Sequence, residues 1–323
     1  RITGLRDQGN LIFIDFKDES GRIQAVFKKD NLSNFKLLKE SVDVGDFISV
    51  GGPLFTTQKG EKSIEAKEAD IIAKSVRPLP DKWYGLKDVE ERFRKRYLDV
   101  ILNPEIKKNI SRRSEIIRSI RETLHKEGFM EVETPMLQPL PGGAKARPFT
   151  THHNALGADF YLRIAPELYL KRLLVAGFEK IFEMGKNFRN EGIDREHNPE
   201  FTELELYWAY QDWRGLMEFT EKILKEFIPG KWQEMTFTES FKKYAGKDLN
   251  KVKSDEIDEI FKKEVRPQII NPTFLTHYPK SISPLAKSCS DNLELTERFQ
   301  LIVDGAEIVN GFSELNDPIE QRR

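Results

Sequence analysis

The pattern of the chain changes at Arg77-Pro78-Leu79-Pro80-Asp81, and that break constrains the fold more than any other feature. Before it lie short β-rich runs. Residues 11–16 alternate and lead into the turn cluster Asp18-Glu19-Ser20-Gly21. Residues 23–27 resume the alternation, and residues 44–50 and 63–72 supply further strand candidates. About five short strands in so little chain predict a small all-β barrel. After the prolines the period becomes helical. Asn103 suits an N-cap and Pro104 a first turn. Ile106, Ile110, Ile117, Ile120 and Leu124 then form one apolar stripe that Gly128 ends. The expected division is a barrel over 1–75, a linker over 76–96 and a second domain over 97–323.

The second domain mixes both element types. Phe129 to Pro135 reads as a strand stopped by proline, and residues 180–185 and 201–207 as strands. Residues 218–227 read as a helix and 298–310 as strand again. Strands without regular βα alternation predict an α+β domain around an antiparallel sheet. Composition narrows the class. Lys+Arg total 52 against Asp+Glu 53, a formal net charge of -1, so any nucleic-acid contact must come from local patches. One cysteine, Cys289, excludes an internal disulfide framework and fits a reducing cytosol. The absence of a long apolar run predicts a cytoplasmic protein without membrane contact. Arg1 falls inside a strand pattern, so the first barrel strand is expected to be incomplete.

Several segments converge on one family. The helix and strand ending at Pro135 resemble motif 1 of the class II aminoacyl-tRNA synthetases. Gly185-Lys186-Asn187-Phe188-Arg189-Asn190-Glu191-Gly192, with Arg195-Glu196-His197-Asn198-Pro199-Glu200-Phe201-Thr202, resembles motif 2. Gly142-Gly143-Ala144-Lys145-Ala146-Arg147-Pro148-Phe149, Thr151-His152-His153-Asn154-Ala155-Leu156, Arg163 to Lys171, and Asn310 to Pro318 resemble the lysyl members of subclass IIb. The resemblance spans nearly the whole chain. It implies that the OB-fold is the barrel type, and that motif 3 would begin just beyond Arg323.

The resemblance implies a two-step ligase that uses ATP as substrate and Mg2+ as cofactor. Lysine is joined to AMP, then passed to the 3′-terminal adenosine of tRNA(Lys). Both reacting groups of the first step are anionic, so a guanidinium fork suits them better than an ammonium. Arg189 takes that catalytic role by resemblance. Glu191 follows two residues later, on the same face if the strand continues. By resemblance Glu191 meets the adenine amino group, Phe201 stacks on the base, and His197 and Asn198 line the ATP loop. The family's metal carboxylates stand seven residues apart on one strand; here that pair is Gln300 and Glu307.

A pocket for lysine needs anionic groups, because an unpaired buried ammonium is very costly. The resemblance implies that Glu167, Glu205 and the Gly143 backbone hold the α-amino end. Glu314 and Tyr207 then meet the ε-ammonium, and Asn310 and Arg189 the carboxylate. Taken alone, Glu205 and Tyr207 read better as plain strand alternation opposite Leu204 and Leu206. His152 and His153 are adjacent, a poor arrangement for one metal, and are expected to be structural.

In the barrel, Phe13 is expected to stack an anticodon base, with Gln24 reading a base edge and Arg6 beside them. Motif 1 implies a homodimer. Three alternatives stay open. A paralogue lysylating a translation factor would lack the barrel. An aspartyl or asparaginyl enzyme would lack Glu314. An RNA- or amino-acid-binding module would lack catalysis.

Overall fold

A computed structural model describes residues 1–80, 86–194 and 196–322. Arg195 of the motif 2 segment, and Asp81 of the proline segment, lie outside the described residues. The chain divides into two compact units, Arg1–Arg113 and Ser114–Arg323.

The first unit opens with β1 (Ile2–Asp7), β2 (Leu11–Lys17) and β3 (Arg22–Lys28). A short helix, α1 (Phe35–Ser41), separates them from β4 (Phe47–Gly51), β5 (Leu54–Thr56), β6 (Lys62–Glu65) and β7 (Glu68–Ala73). One sheet has the order β1-β2-β3-β6-β5, and β4 pairs with β7 in a second. Only β3 and β6 run parallel among these pairings. Both sheets and α1 feed one core, with Ile2, Ile12, Ile14, Phe27, Phe35, Leu38, Ile48 and Ala69 all buried. Alternation in β2 and β3 accounts for that core, since every second side chain turns inward. Two helices follow, α2 (Val89–Arg94) and α3 (Arg96–Leu102). Asp99, fully buried, receives hydrogen bonds from Arg92, Arg96 and Asn103.

Helix α4 (Pro104–Lys126) contains the division between the units and begins at the expected proline. Its stripe is only partly covered: Leu124 is buried, Ile120 half-buried and Ile110 exposed. Then come β8 (Met130–Glu131), β9 (Leu137–Gln138), β10 (Thr150–His153), β11 (Ala158–Leu162) and α5 (Glu167–Val175). The long hairpin β12 (Lys180–Phe188) and β13 (Glu200–Trp208) pairs in unbroken antiparallel register from Lys180↔Trp208 to Phe188↔Glu200. Helix α6 (Trp213–Leu224) precedes β14 (Gln233–Thr236), β15 (Thr273–Pro279), β16 (Leu295–Val303) and β17 (Ala306–Phe312). These four strands form a sheet in sequence order, with β14 and β15 parallel and the rest antiparallel.

Helix α6 packs between two of the three sheets of this unit. Phe219 and Ile223 pack with Phe182, Leu204, Leu206 and Trp208 of the hairpin. Trp213 and Met217 pack with Phe274, Phe299 and Leu301 of the second sheet. The hairpin therefore commits one face to the core. Its other face carries Glu183, Gly185 and Asn187 opposite Glu205, Glu203 and Phe201, with Tyr207 beyond.

Candidate active site

Strand alternation turns a row of polar side chains to one side of the hairpin, and something has to satisfy them. Arg163, fully buried, does so from beneath. It pairs with Glu183, donates from Nε to the Lys186 carbonyl at 3.0 Å, and from Nη1 to Thr134 Oγ1 at 3.0 Å. Thr134 in turn donates to Glu183 Oε2 at 2.7 Å. Gly185 leaves the guanidinium its room: a Cβ there would stand 2.4 Å from Arg163 Nη2.

The Arg163 carbonyl accepts from the Phe188 amide at 2.9 Å, and the Ile164 carbonyl from Arg189 Nε at 3.4 Å. The catalytic candidate thus hangs from the segment that crosses below the hairpin. The Arg189 guanidinium lies 4.8 Å from the centroid of the Phe201 ring, a cation–π distance, and 3.9 Å from Glu203 Oε2. Asn187 also bonds Glu203.

Further along the face, Tyr207 donates its hydroxyl to Glu205 Oε2 at 3.1 Å. Burial, and then the charge of Glu203, push the Glu205 carboxyl up to about 7. Burial and the neighbouring charges of Glu205, Glu167 and Glu314 keep the Tyr207 phenol protonated. Glu167 opens α5, where the helix dipole favours an acid. Gly143, at φ +91°, packs against that turn, and a Cβ on it would come within 3.1 Å of Glu167 Cβ. Glu314 follows β17 and bridges to Ala286 by backbone pairing. Lys171, one turn along α5, donates to Glu167 Oε1 at 2.7 Å and to Glu314 Oε2 at 3.1 Å. Hence Gly143, Glu167, Glu205, Tyr207 and Glu314 lie close together, with Lys171 between two of the acids and Arg189 and Phe201 at the loop end of the same hairpin face.

Other expected residues fall differently. The strand ends at Phe188, so Glu191 sits in an exposed bend, its amide 3.0 Å from the Arg189 carbonyl. The same-face argument for Glu191 fails, because no strand continues to it. His197 is exposed, and its Nδ1 lies 2.8 Å from Asp194 Oδ2, in a turn that Asp194 caps. Asn198 is exposed in the same loop. Glu196 pairs with Arg266 at 3.1 Å.

Arg266 lines a cavity of about 160 Å³ together with Lys262, Tyr278, Arg298, Gln300 and Glu307. Gln300 is buried and its carbonyl oxygen accepts from the Tyr278 hydroxyl at 2.7 Å. Protein packed around the Glu307 carboxyl raises it, against the opposing charges of Arg298, Arg266 and Lys262, although the residue as a whole is exposed. Among the described residues no three His, Cys, Asp or Glu side chains gather as a metal site. Two carboxylates, Glu307 and an Asp258 already paired with Lys262, one amide already bonded and three cations fit a resident divalent ion poorly. Asn310 accepts from Arg298 Nε at 2.9 Å through its amide oxygen.

In the first unit, Arg6 and Phe13 are cross-strand partners with the guanidinium 5.8 Å from the ring centroid. Arg6 is exposed and Phe13 half-buried. Gln24 is only 3% exposed, against its expected role as an open base reader. Its amide is already used by Asp15, Glu61 and Ser63.

Residues 88–323 match the model of the tRNA synthetases class II (D, K and N). Residues 1–72 match the OB-fold nucleic acid binding domain. A Lysine--tRNA ligase of Moorella thermoacetica is 44% identical over the whole of this chain and 74% of its own length. One from Clostridium perfringens (strain SM101 / Type A) is 45% identical over the whole chain and 73% of its length. The chain belongs to the lysine--tRNA ligase family of class II tRNA synthetases.

Membership accounts for the two-unit plan: an OB-fold domain followed by a class II catalytic domain on an antiparallel sheet. It also accounts for the polar hairpin face, since β12 and β13 carry the motif 2 segment. The Arg163–Glu183–Thr134 network, Lys171, Arg266 and Arg298 were not singled out from sequence. Only Lys171 left a signal there, its i,i+4 spacing from Glu167.

Proposed function

We propose that this chain activates lysine with ATP, forming lysyl-adenylate and pyrophosphate, and then transfers lysine to the 3′-terminal adenosine of tRNA(Lys). The observation that carries the reading is the gathering of Glu167, Glu205, Tyr207 and Glu314 in one pocket on the hairpin that holds Arg189. A doubly cationic amino acid is the small molecule whose charge such a pocket matches. A carboxylate side chain would meet like charge at Glu314, and a neutral amide would leave that carboxylate without a cation, which disfavours an aspartyl or asparaginyl substrate.

In this reading Glu167, Glu205 and the Gly143 backbone hold the α-ammonium. Glu314 and Tyr207 hold the ε-ammonium, and Arg189 with Asn310 the carboxylate. Arg189 draws the lysine carboxylate and the ATP α-phosphate together. The carboxylate oxygen then bonds phosphorus as the bond to pyrophosphate breaks. In the second step a terminal ribose hydroxyl of tRNA attacks the acyl carbon and AMP leaves. Glu191, His197, Asn198, Phe201 and Glu307 serve the nucleotide. Mg2+ enters as part of the nucleotide substrate, since Gln300 and Glu307 make a weak resident pair.

Arg6 and Phe13 face the anticodon in the first unit, and Gln24 supports that face from below. We infer a homodimer through motif 1, supported by the exposure of Met130 on its strand and of Met136 and Leu137 just after it. No helix among the described residues is long and apolar enough to cross a membrane. The single buried cysteine supports a cytoplasmic setting. Lysine-dependent ATP–pyrophosphate exchange by the full-length protein tests the first step. Exchange driven equally by aspartate or asparagine, or no exchange at all, contradicts it.

A further inference from the structure

Lys171 stands where the pocket assignment leaves no role for a protein cation. Its ammonium lies 2.7 Å from Glu167 and 3.1 Å from Glu314, residues from opposite ends of the catalytic unit. We propose that Lys171 is a positioning residue, a built-in counter-ion that bridges Glu167 and Glu314 and gives up Glu314 to the incoming side-chain ammonium. This rests on the assignment of Glu167 and Glu314 to lysine binding.

The geometry suits exchange rather than permanent pairing. Glu167 and Lys171 sit one turn apart on α5, so that contact persists through side-chain motion. The Glu314 contact spans two elements and a flexible four-carbon stem, and the Lys171 side chain is 31% exposed, with a path to water. The groups facing Lys171 are Glu167 and Glu314. Those facing Glu314 are Lys171 and Glu167, with the Tyr207 hydroxyl, itself bonded to Glu205, completing the pocket.

The charges oppose one another usefully. Burial pushes the Glu314 carboxyl above its ordinary range, and Lys171 pulls it back. Burial also works to lower the Lys171 ammonium, but the Glu167 hydrogen bond and the Glu314 charge win and hold it raised. Without Lys171 the pocket would lose its competitor, but Glu314 would take up a proton at higher pH.

Two consequences of opposite sign follow for Lys171→Met in the full-length protein, read as lysine affinity by calorimetry from pH 6 to 9. The acid limb of binding shifts to higher pH, so affinity on the acid side of the profile falls severalfold relative to wild type. Above pH 8.5, with the competitor gone, lysine binds severalfold tighter than to wild type. Lys171→Arg keeps the charge and the wild-type limb. A Lys171→Met profile that superimposes on wild type, or falls by one factor at every pH, overturns the proposal. Wild type itself supplies a second measurement, free of any folding defect. With ¹³Cε-labelled lysine side chains, the Lys171 resonance moves when unlabelled lysine saturates the protein; an unmoved resonance overturns the proposal. Failure of wild type to bind lysine at any pH is a different result, and contradicts the pocket assignment instead.

Discussion

Glu205 and Tyr207 lie two residues apart on β13, and the Tyr207 hydroxyl donates to the Glu205 carboxylate at 3.1 Å. That carboxyl is held at about 7, first by burial and then by Glu203. A carboxyl raised on folding binds more protons in the native state between its unfolded value and 7. Its contribution to stability is therefore present at low pH and is lost as pH rises through 7. In the proposed reading lysine binding needs the ionised form, so it would release a proton near pH 7. Calorimetry in buffers of different ionisation enthalpy is expected to show that release, and Glu205→Gln to abolish it. Buffer-independent heats in wild type would contradict the assignment of Glu205 to the α-ammonium.

The buried pair Arg163–Glu183 supports the hairpin from below. Arg163→Met leaves Glu183 charged without its partner and is expected to cost about 3–5 kcal/mol in urea unfolding. Arg163→Met combined with Glu183→Gln should recover part of that loss. Gly185→Ala places a methyl 2.4 Å from Arg163 Nη2 and is expected to cost about 1–3 kcal/mol by overpacking. A loss below about 0.5 kcal/mol in both single variants would show that the network is not under load.

How far sequence led can be judged at particular residues. The prolines at 78 and 80 marked where the strand-rich segment ends, and Pro104 began α4 as expected. The hairpin faces were legible because strand alternation has a fixed period of two: Leu204 and Leu206 went to the core, Glu205 and Tyr207 to the opposite face. The same rule misled at Glu191, since periodicity does not show where a strand stops. Gln24 was misjudged because its burial depends on Asp15, Glu61 and Ser63 meeting across three strands. Arg163 could not be singled out. Its partners, Thr134, Glu183 and the Lys186 carbonyl, come together only once the hairpin crosses over the 163 segment.

The metal pair gives a third prediction. Gln300 spends its carbonyl on Tyr278, and Glu307 faces three cations. Mn2+ titrated into the protein without nucleotide, followed by electron paramagnetic resonance, is expected to show no tight site. Gln300→Glu should create measurable binding by adding another anionic ligand. Tight binding in wild type would contradict the view that the metal arrives with ATP.

The OB-fold face supplies a fourth. Phe13→Ala removes the ring that Arg6 covers and is expected to weaken tRNA charging while leaving pyrophosphate exchange intact. Base stacking on an aromatic is worth about 1–3 kcal/mol, so a five- to hundredfold loss in charging is the expected range. Equal loss of both activities would contradict an anticodon role.

In the proposed reading Glu314 carries the substrate assignment, since it is the carboxylate assigned to the side-chain ammonium. The decisive measurement is lysine-dependent ATP–pyrophosphate exchange in full-length wild type and Glu314→Gln. The lysine KM should rise at least tenfold in the variant, with the KM for ATP unchanged. An unaltered lysine response in Glu314→Gln would contradict the account.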